Sequence, residues 1–478
     1  MHASTGFAIY VVLLMAVPAR LIIRQIGAPG TAAGLWALGL LVWWAFSRLG
    51  AQHEARQGSA VRLMMMLLTV AVLGSYVASM SHGWYAPAEV RGATDLVYDL
   101  APSSVPEITA AMISAADRGL VAYFGWLAVV LVAIDGLRTW RHIDRVVKVI
   151  VFAGTFAAAI GMLQYFTGIN IAPYFKLPGF VPNGEFGYVD SRGDVGLRRV
   201  QSTASGAIEF GVVMAATFPL ALHQAIFAAK SRWRWLPTCS LGLAASLSIS
   251  RSAILVLGIV VLVMFAGWPS DWRKRALYVL PVGVVGIRLA APGVLGTIRS
   301  LFLSFSSDNS VDGRTEDYGV VWNVFLEHAV LGRGLFTFVP RYYRILDNQV
   351  LMLLLELGLI GALLFVATVV TAIGAARRCF RRAGDEEHRH LGLALSASLS
   401  GVFVSFFTFD ALGFAMAAGF LFVLVALAGA ASRTAASDVP ATARKLDVND
   451  RSRFDGRVDR RTDFAEHDDL DQDSVPTS

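Results

Sequence analysis

Asn309–Gly361 reads NSVDGRTEDYGVVWNVFLEHAVLGRGLFTFVPRYYRILDNQVLMLLLELGLIG. The stretch begins as a polar loop, passes through an amphipathic segment and a cluster of arginines, and at Asp347-Asn348 enters a long apolar run. Such a run is long enough to cross a membrane as a helix. The polar part in front of it then has to lie at one membrane face. The loop reads as the working part, outside the cytoplasm, and the apolar segments upstream of it as its cage.

The rest of the chain repeats the apolar half of this pattern. It has 478 residues, 55% hydrophobic and 16% charged, with mean hydropathy +0.58, against about 25% charged in a soluble domain. Runs of bilayer-crossing length, about 17–25 residues, predict about twelve spans. They fall near 6–24, 30–49, 61–80, 117–136, 145–168, 205–228, 232–249, 251–268, 274–290, 348–373, 390–409 and 412–431. Short basic connections, such as those at Arg138–Lys148 and Arg377–Arg389, alternate with long ones near 81–116, 169–204 and 291–347. The positive-inside bias puts the basic connections and both termini in the cytoplasm and the three long loops outside. Arg20 and Arg24 resist this scheme, because they sit at the outward end of the first span. The fold expected is an all-α polytopic membrane domain over 1–431, with a large extracytoplasmic loop before the tenth helix. Residues 432–478 carry many charges of both signs and few apolar residues, which predicts a disordered cytoplasmic tail.

The same composition bounds the partners. The net charge of +6 lies in the topology-setting loops, so membrane lipids rather than nucleic acid are the expected surroundings. No phosphate-binding glycine loop or dinucleotide motif is present, which excludes a transporter driven by an ATPase within this chain. His82 and His328, on the outward side, have no metal-ligand spacing, and no metal site or other cofactor is expected. No basic stretch precedes the first apolar run, so a cleaved signal peptide is not expected. Cys239 and Cys379 fall in an apolar segment and a basic loop, and no disulfide between them is expected.

Several outward charges stand where topology does not call for them. Arg251, in SISRS, occupies a turn of a few residues between two apolar runs, flanked by Ser248, Ser250 and Ser252. It reads either as a snorkelling anchor or, with hydroxyls beside a planar guanidinium fork, as a phosphate ligand. Arg314 opens the amphipathic piece. From Asp317 to Val330 the apolar face of Val320, Val321, Val324 and Phe325 fits an interfacial helix or a helix packed on other loops. Arg341, Tyr342, Tyr343 and Arg344 fit an interfacial belt or a sugar- and phosphate-binding surface. Asp347 fits an N-cap beside Asn348. Glu356 lies about 12 Å deeper along that helix at 1.5 Å per residue, and needs a partner or a water-filled cavity. Glu209 and Asp410 raise the same question at the outward ends of their helices. Before Glu209 stand Arg192, Asp194, Arg198 and Arg199, then QSTASG, whose serine and threonine fit a helix cap.

The SISRS turn, Arg314 leading to Trp322, and DNQVLMLLLELGLIG resemble the O-antigen ligase and polysaccharide polymerase superfamily over roughly residues 190–365. The resemblance implies an inverting, metal-independent glycosyltransferase of about twelve helices, with a GT-C-like architecture. It implies transfer of a glycan from a polyprenyl-diphosphate carrier to a glycan or lipid-glycan acceptor, outside the cytoplasmic membrane. On it, Arg251 and Arg314 match the arginines that hold the diphosphate, and Arg199 matches a basic position before the helix of Glu209. Arg341, Arg344, Asn348, Glu209 and Glu356 are the further substrate-binding candidates. The family's ligases have His-Asn where this chain has Asp347-Asn348, so the catalytic base is Asp347 or lies elsewhere, and ligase and polymerase both stay open. The alternative class is a transporter or flippase of lipid-linked sugars, which keeps its polar groups near the midplane and uses broken helices.

Overall fold

The computed structural model describes residues 2–49, 58–82, 105–184, 191–192, 197–228, 231–303, 318–319, 321–340, 343 and 345–437. In chain order the elements are α1 (Ala3–Ala16), β1 (Leu21–Ile22), α2 (Ala32–Leu49), α3 (Ala60–His82), α4 (Val105–Gly136) and α5 (Trp140–Thr167). Three two-residue strands follow, β2 (Val181–Pro182), β3 (Ser191–Arg192) and β4 (Leu197–Arg198). Then come α6 (Ala207–Phe227), α7 (Leu236–Leu247), α8 (Arg251–Gly267), α9 (Ser270–Ala290), α10 (Val294–Leu303), α11 (Gln349–Arg382), α12 (Glu386–Ser405) and α13 (Ala415–Ser437). Among the described residues, seven helices are long and apolar enough to cross a membrane: α2, α3, α4, α5, α6, α11 and α13. Helices α1, α7 and α8 are apolar but shorter, at 14, 12 and 17 residues. The chain is a polytopic helical membrane protein.

The core is organised around α11 and α13. α11 packs against α3, α12 and α13, and α13 in turn against α4, α6 and α1. α13 is buried along nearly its whole length and rich in alanine and glycine. Small side chains let neighbouring backbones approach closely, which is how helices associate where lipid offers no hydrophobic drive. Near the end of α4, the buried Asp135 accepts from the Trp44 indole at 2.8 Å and pairs with Arg48 and Arg62. One buried carboxylate thus collects basic residues from α2 and α3.

The structure corrects several boundaries. The expected first span, 6–24, is not one helix: α1 ends at Ala16, and Leu21–Ile22 pairs antiparallel with Val181–Pro182. Pro18 has no N–H to give a continuing helix and biases Val17 to the extended conformation observed. Arg20, the residue at odds with the topology, donates to the Ser205 carbonyl at 2.6 Å and ties this corner to the segment before α6. The expected loop 81–116 is helical from Val105, where α4 begins. Its Met112 and Ala116 are buried against Val324, Phe338, Tyr343 and Leu355. The expected loop 291–347 holds α10 and a short helix over 321–327. Val321 and Val324 of the latter are buried in that same cluster, while Trp322 and Leu326 stay exposed. This fits the packed form of the amphipathic reading. α13 continues to Ser437, with Thr434 and Ala435 buried and Arg433 donating to the Leu137 carbonyl. The remainder of the expected tail lies outside the described residues.

Candidate active site

The loop that opened the sequence reading meets α11 at a break. Gly358 has φ +63°, a conformation that L side chains rarely adopt, and it divides α11 into two half-helices. The helical hydrogen bonds lost there are replaced by the loop. Arg333 and Gly334 donate their N–H groups to the Leu355 and Glu356 carbonyls at 3.1 and 2.7 Å, and the Leu359 N–H reaches the Ala329 carbonyl at 2.8 Å. The Ser75 hydroxyl from α3 adds a bond to the Glu356 carbonyl at 3.0 Å. Gly332, at φ +70°, lies so close that a Cβ on it would strike the backbone of Gly358 and Glu356. Irregular backbone inside a membrane protein persists where other protein groups satisfy it, and here the loop does so. Arg333 is 2% exposed, with its guanidinium over the Tyr343 ring at 5.1 Å.

Beside the break lies a cavity of about 370 Å³. Tyr10, Ala37, Ala122 and Trp126 from α1, α2 and α4 form an apolar side. Phe336 and Phe338 from the loop, Gln349 and Glu356 from α11, and Asp410 from the turn before α13 form the other. Arg118 of α4 also lines it and is exposed. Glu356 is 1% exposed, and no side chain among the described residues pairs with its carboxylate. The backbone N–H groups of Phe336 and Phe338 face it. Phe336 is held at φ +65°, rare for a non-glycine residue. Burial pushes the Asp410 carboxyl up to about 7, and the charges of Asp347 and Glu209 act in the same direction.

The other sequence-predicted residues separate into distinct roles. Glu209 is fully buried and structural in its contacts. One oxygen accepts from the Met416 and Ala417 N–H groups at 2.7 and 3.0 Å, and the other from the Ser205 N–H at 2.6 Å. It thereby caps the start of α13 and reaches back before its own helix. The expected serine and threonine caps of α6 are replaced by Gly206, because Ser202 and Thr203 donate instead to the Ala157 and Met15 carbonyls. Asn348, not Asp347, is the N-cap of α11: its side-chain oxygen accepts from Val350 and Leu351 at 3.0 and 3.2 Å. Asp347 is half-buried just outside the helix and makes contacts of its own.

Arg251 is the first residue of α8, half-buried, after Ser250 as N-cap and Ile249 at φ +46°. A β-branched residue in that region marks a strained turn. Ser248 donates its hydroxyl to the Ala245 carbonyl at 2.7 Å, and the Ser250 oxygen accepts from the Ala253 N–H as the cap. Arg199, half-buried, lies between β4 and α6. Neither arginine lines the cavity, nor does Asp347. Arg314, Arg341 and Arg344 lie outside the described residues. Arg118 was missed by the sequence reading, although an arginine on the outward side is the signal that singled out Arg251.

A polytopic helical membrane protein with a loop docked on a broken helix, beside a polar-ended cavity, is the class that fold and site define. Residues 236–366, from α7 into α11, match the family model described as O-antigen ligase. That stretch, about a quarter of the chain, is similar to the family from which the motif resemblance was drawn. No curated protein matches the chain.

Proposed function

We propose that this protein is an extracytoplasmic glycosyltransferase of the cytoplasmic membrane. It moves a glycan from a polyprenyl-diphosphate carrier to a glycan or lipid-glycan acceptor, with inversion and without a metal. The observation that carries the reading is the O-antigen ligase match across α7–α11, which includes both Arg251 and the Asp347-Asn348 stretch. The chemistry agrees. A diphosphate leaving group gains negative charge as the glycosidic bond breaks, and charge-assisted bonds from guanidiniums strengthen with it. Arg251 and Arg314 are assigned to that diphosphate, with Arg199, Arg341 and Arg344 as further basic contacts.

A second reading has one observation in its favour. The break at Gly358 beside a buried carboxylate is a device that transporters of lipid-linked sugars would use. Arg251→Lys and Arg314→Lys, reconstituted with a polyprenyl diphosphate-linked oligosaccharide, test the transferase. Lysine keeps the charge and loses the bidentate fork. The expected result is a loss of about 10- to 1000-fold in transfer, at about 1.4 kcal/mol per factor of ten, with protein abundance unchanged. Full transfer in both variants would reject the diphosphate clamp.

A further inference from the structure

We infer that the cavity between α1, α2, α4 and the broken α11 holds the acceptor sugar, and that Glu356 takes the proton of its attacking hydroxyl. The inference rests on the transferase reading and deepens it. A carboxylate buried in a membrane protein without a cationic partner is costly, and such groups persist where a ligand or water completes them. No side chain among the described residues pairs with the Glu356 carboxylate, which is faced by the Phe336 and Phe338 N–H groups, and Glu356 lines the cavity. An ionised carboxylate only accepts hydrogen bonds, and a sugar presents hydroxyl donors. The ring faces of Tyr10, Trp126, Phe336 and Phe338 supply apolar surface around a few converging polar groups, the usual make-up of a small-ligand pocket.

The other carboxylates fit the role less well. Glu209 has its oxygens filled by three backbone N–H groups, and Asp347 does not line the cavity. Glu356 is also the one whose backbone is fixed on several sides, by Ser75, Gly334 and the break itself. In the step assigned to it, the acceptor oxygen bonds to the donor's anomeric carbon. The bond from that carbon to the diphosphate oxygen breaks, the diphosphate leaves with the electron pair, and the hydroxyl proton passes to Glu356. The titratable and charged groups around the cavity are Tyr10 from α1, Arg118 from α4 and Asp410 from the turn before α13.

The test uses the full chain in proteoliposomes, with a polyprenyl diphosphate-linked oligosaccharide as donor and a lipid-linked oligosaccharide as acceptor. Glu356→Gln is expected to lower kcat by about 10² to 10⁴, leave the KM for donor unchanged, and remove the acid limb of the pH–rate profile. Ala122→Phe, which fills the cavity, is expected to raise the acceptor KM by about tenfold or more without changing the donor KM. Glu356→Gln with wild-type kcat and an unchanged pH profile would overturn the inference while leaving the transferase standing. A wild-type protein that makes no product overturns both. If Glu356→Gln does not fold, Ala122→Phe decides: an unchanged acceptor KM overturns the acceptor site.

Discussion

Asp347 and Asn348 are adjacent, polar and at the mouth of one helix, yet the structure divides their work. Asn348 supplies the cap, so Asn348→Ala should cost about 1 kcal/mol of stability, whereas Asn348→Asp, which caps about as well, should cost little. Thermal unfolding in detergent reads both. Asp347 is left free of capping duty, and Asp347→Asn isolates its charge. A drop in transfer with unchanged stability would make Asp347 a participant in the chemistry, whereas wild-type transfer leaves proton transfer to Glu356. Asp410 offers a prediction on pH. Its folded carboxyl titrates near 7, above the ordinary 3.8. Between those values the folded state binds more protons than the unfolded one, so stability falls as pH rises from about 4 to 7. Asp410→Asn should flatten that slope. It should raise stability at pH 8 by an amount on the order of a few kcal/mol, read as a higher unfolding temperature, and change little at pH 4. An unaltered slope would remove Asp410 as its source.

At the scale of elements, the break in α11 is the feature on which the site depends. Gly332 and Gly358 both need positive φ, and each lies where a Cβ on the other would meet backbone. Gly332→Ala and Gly358→Ala should each cost at least about 2 kcal/mol, from left-handed strain plus the clash. The double variant should cost less than the sum, because the residues share one contact. Detergent-melting curves that show either alanine tolerated would contradict the docking. Much of this was outside the reach of sequence. LELGLIG reads as uninterrupted helix, and the groups that satisfy its break come from residues 329–334 and from Ser75. The start of α4 at Val105 was missed for a related reason. VPEITAAMISAADRG mixes small, polar and apolar residues, so it carries no bilayer-length run. Its helix is supported by packing on Phe338, Tyr343 and Leu355.

For the whole molecule, the fold class was legible because a bilayer imposes run lengths that composition cannot hide. The first span failed where Pro18 intervenes, and the structure turns Leu21–Ile22 into a strand. The site was legible in part. Glu356, Asp410 and Glu209 stood out as charges in apolar surroundings. Which of them is saturated and which opens on a cavity depends on partners as distant as Met416 and Ala417, about two hundred residues from Glu209 along the chain.

The central claim is covalent transfer at the outer face, and sidedness tests it most directly. Right-side-out membrane vesicles containing the protein would receive a polyprenyl diphosphate-linked labelled oligosaccharide, a membrane-impermeant oligosaccharide acceptor and a metal chelator. The account predicts label on the impermeant acceptor, with polyprenyl diphosphate released in equal amount. Label that crosses the membrane still attached to its carrier, or product that forms only in inverted vesicles or only when metal is restored, would contradict it.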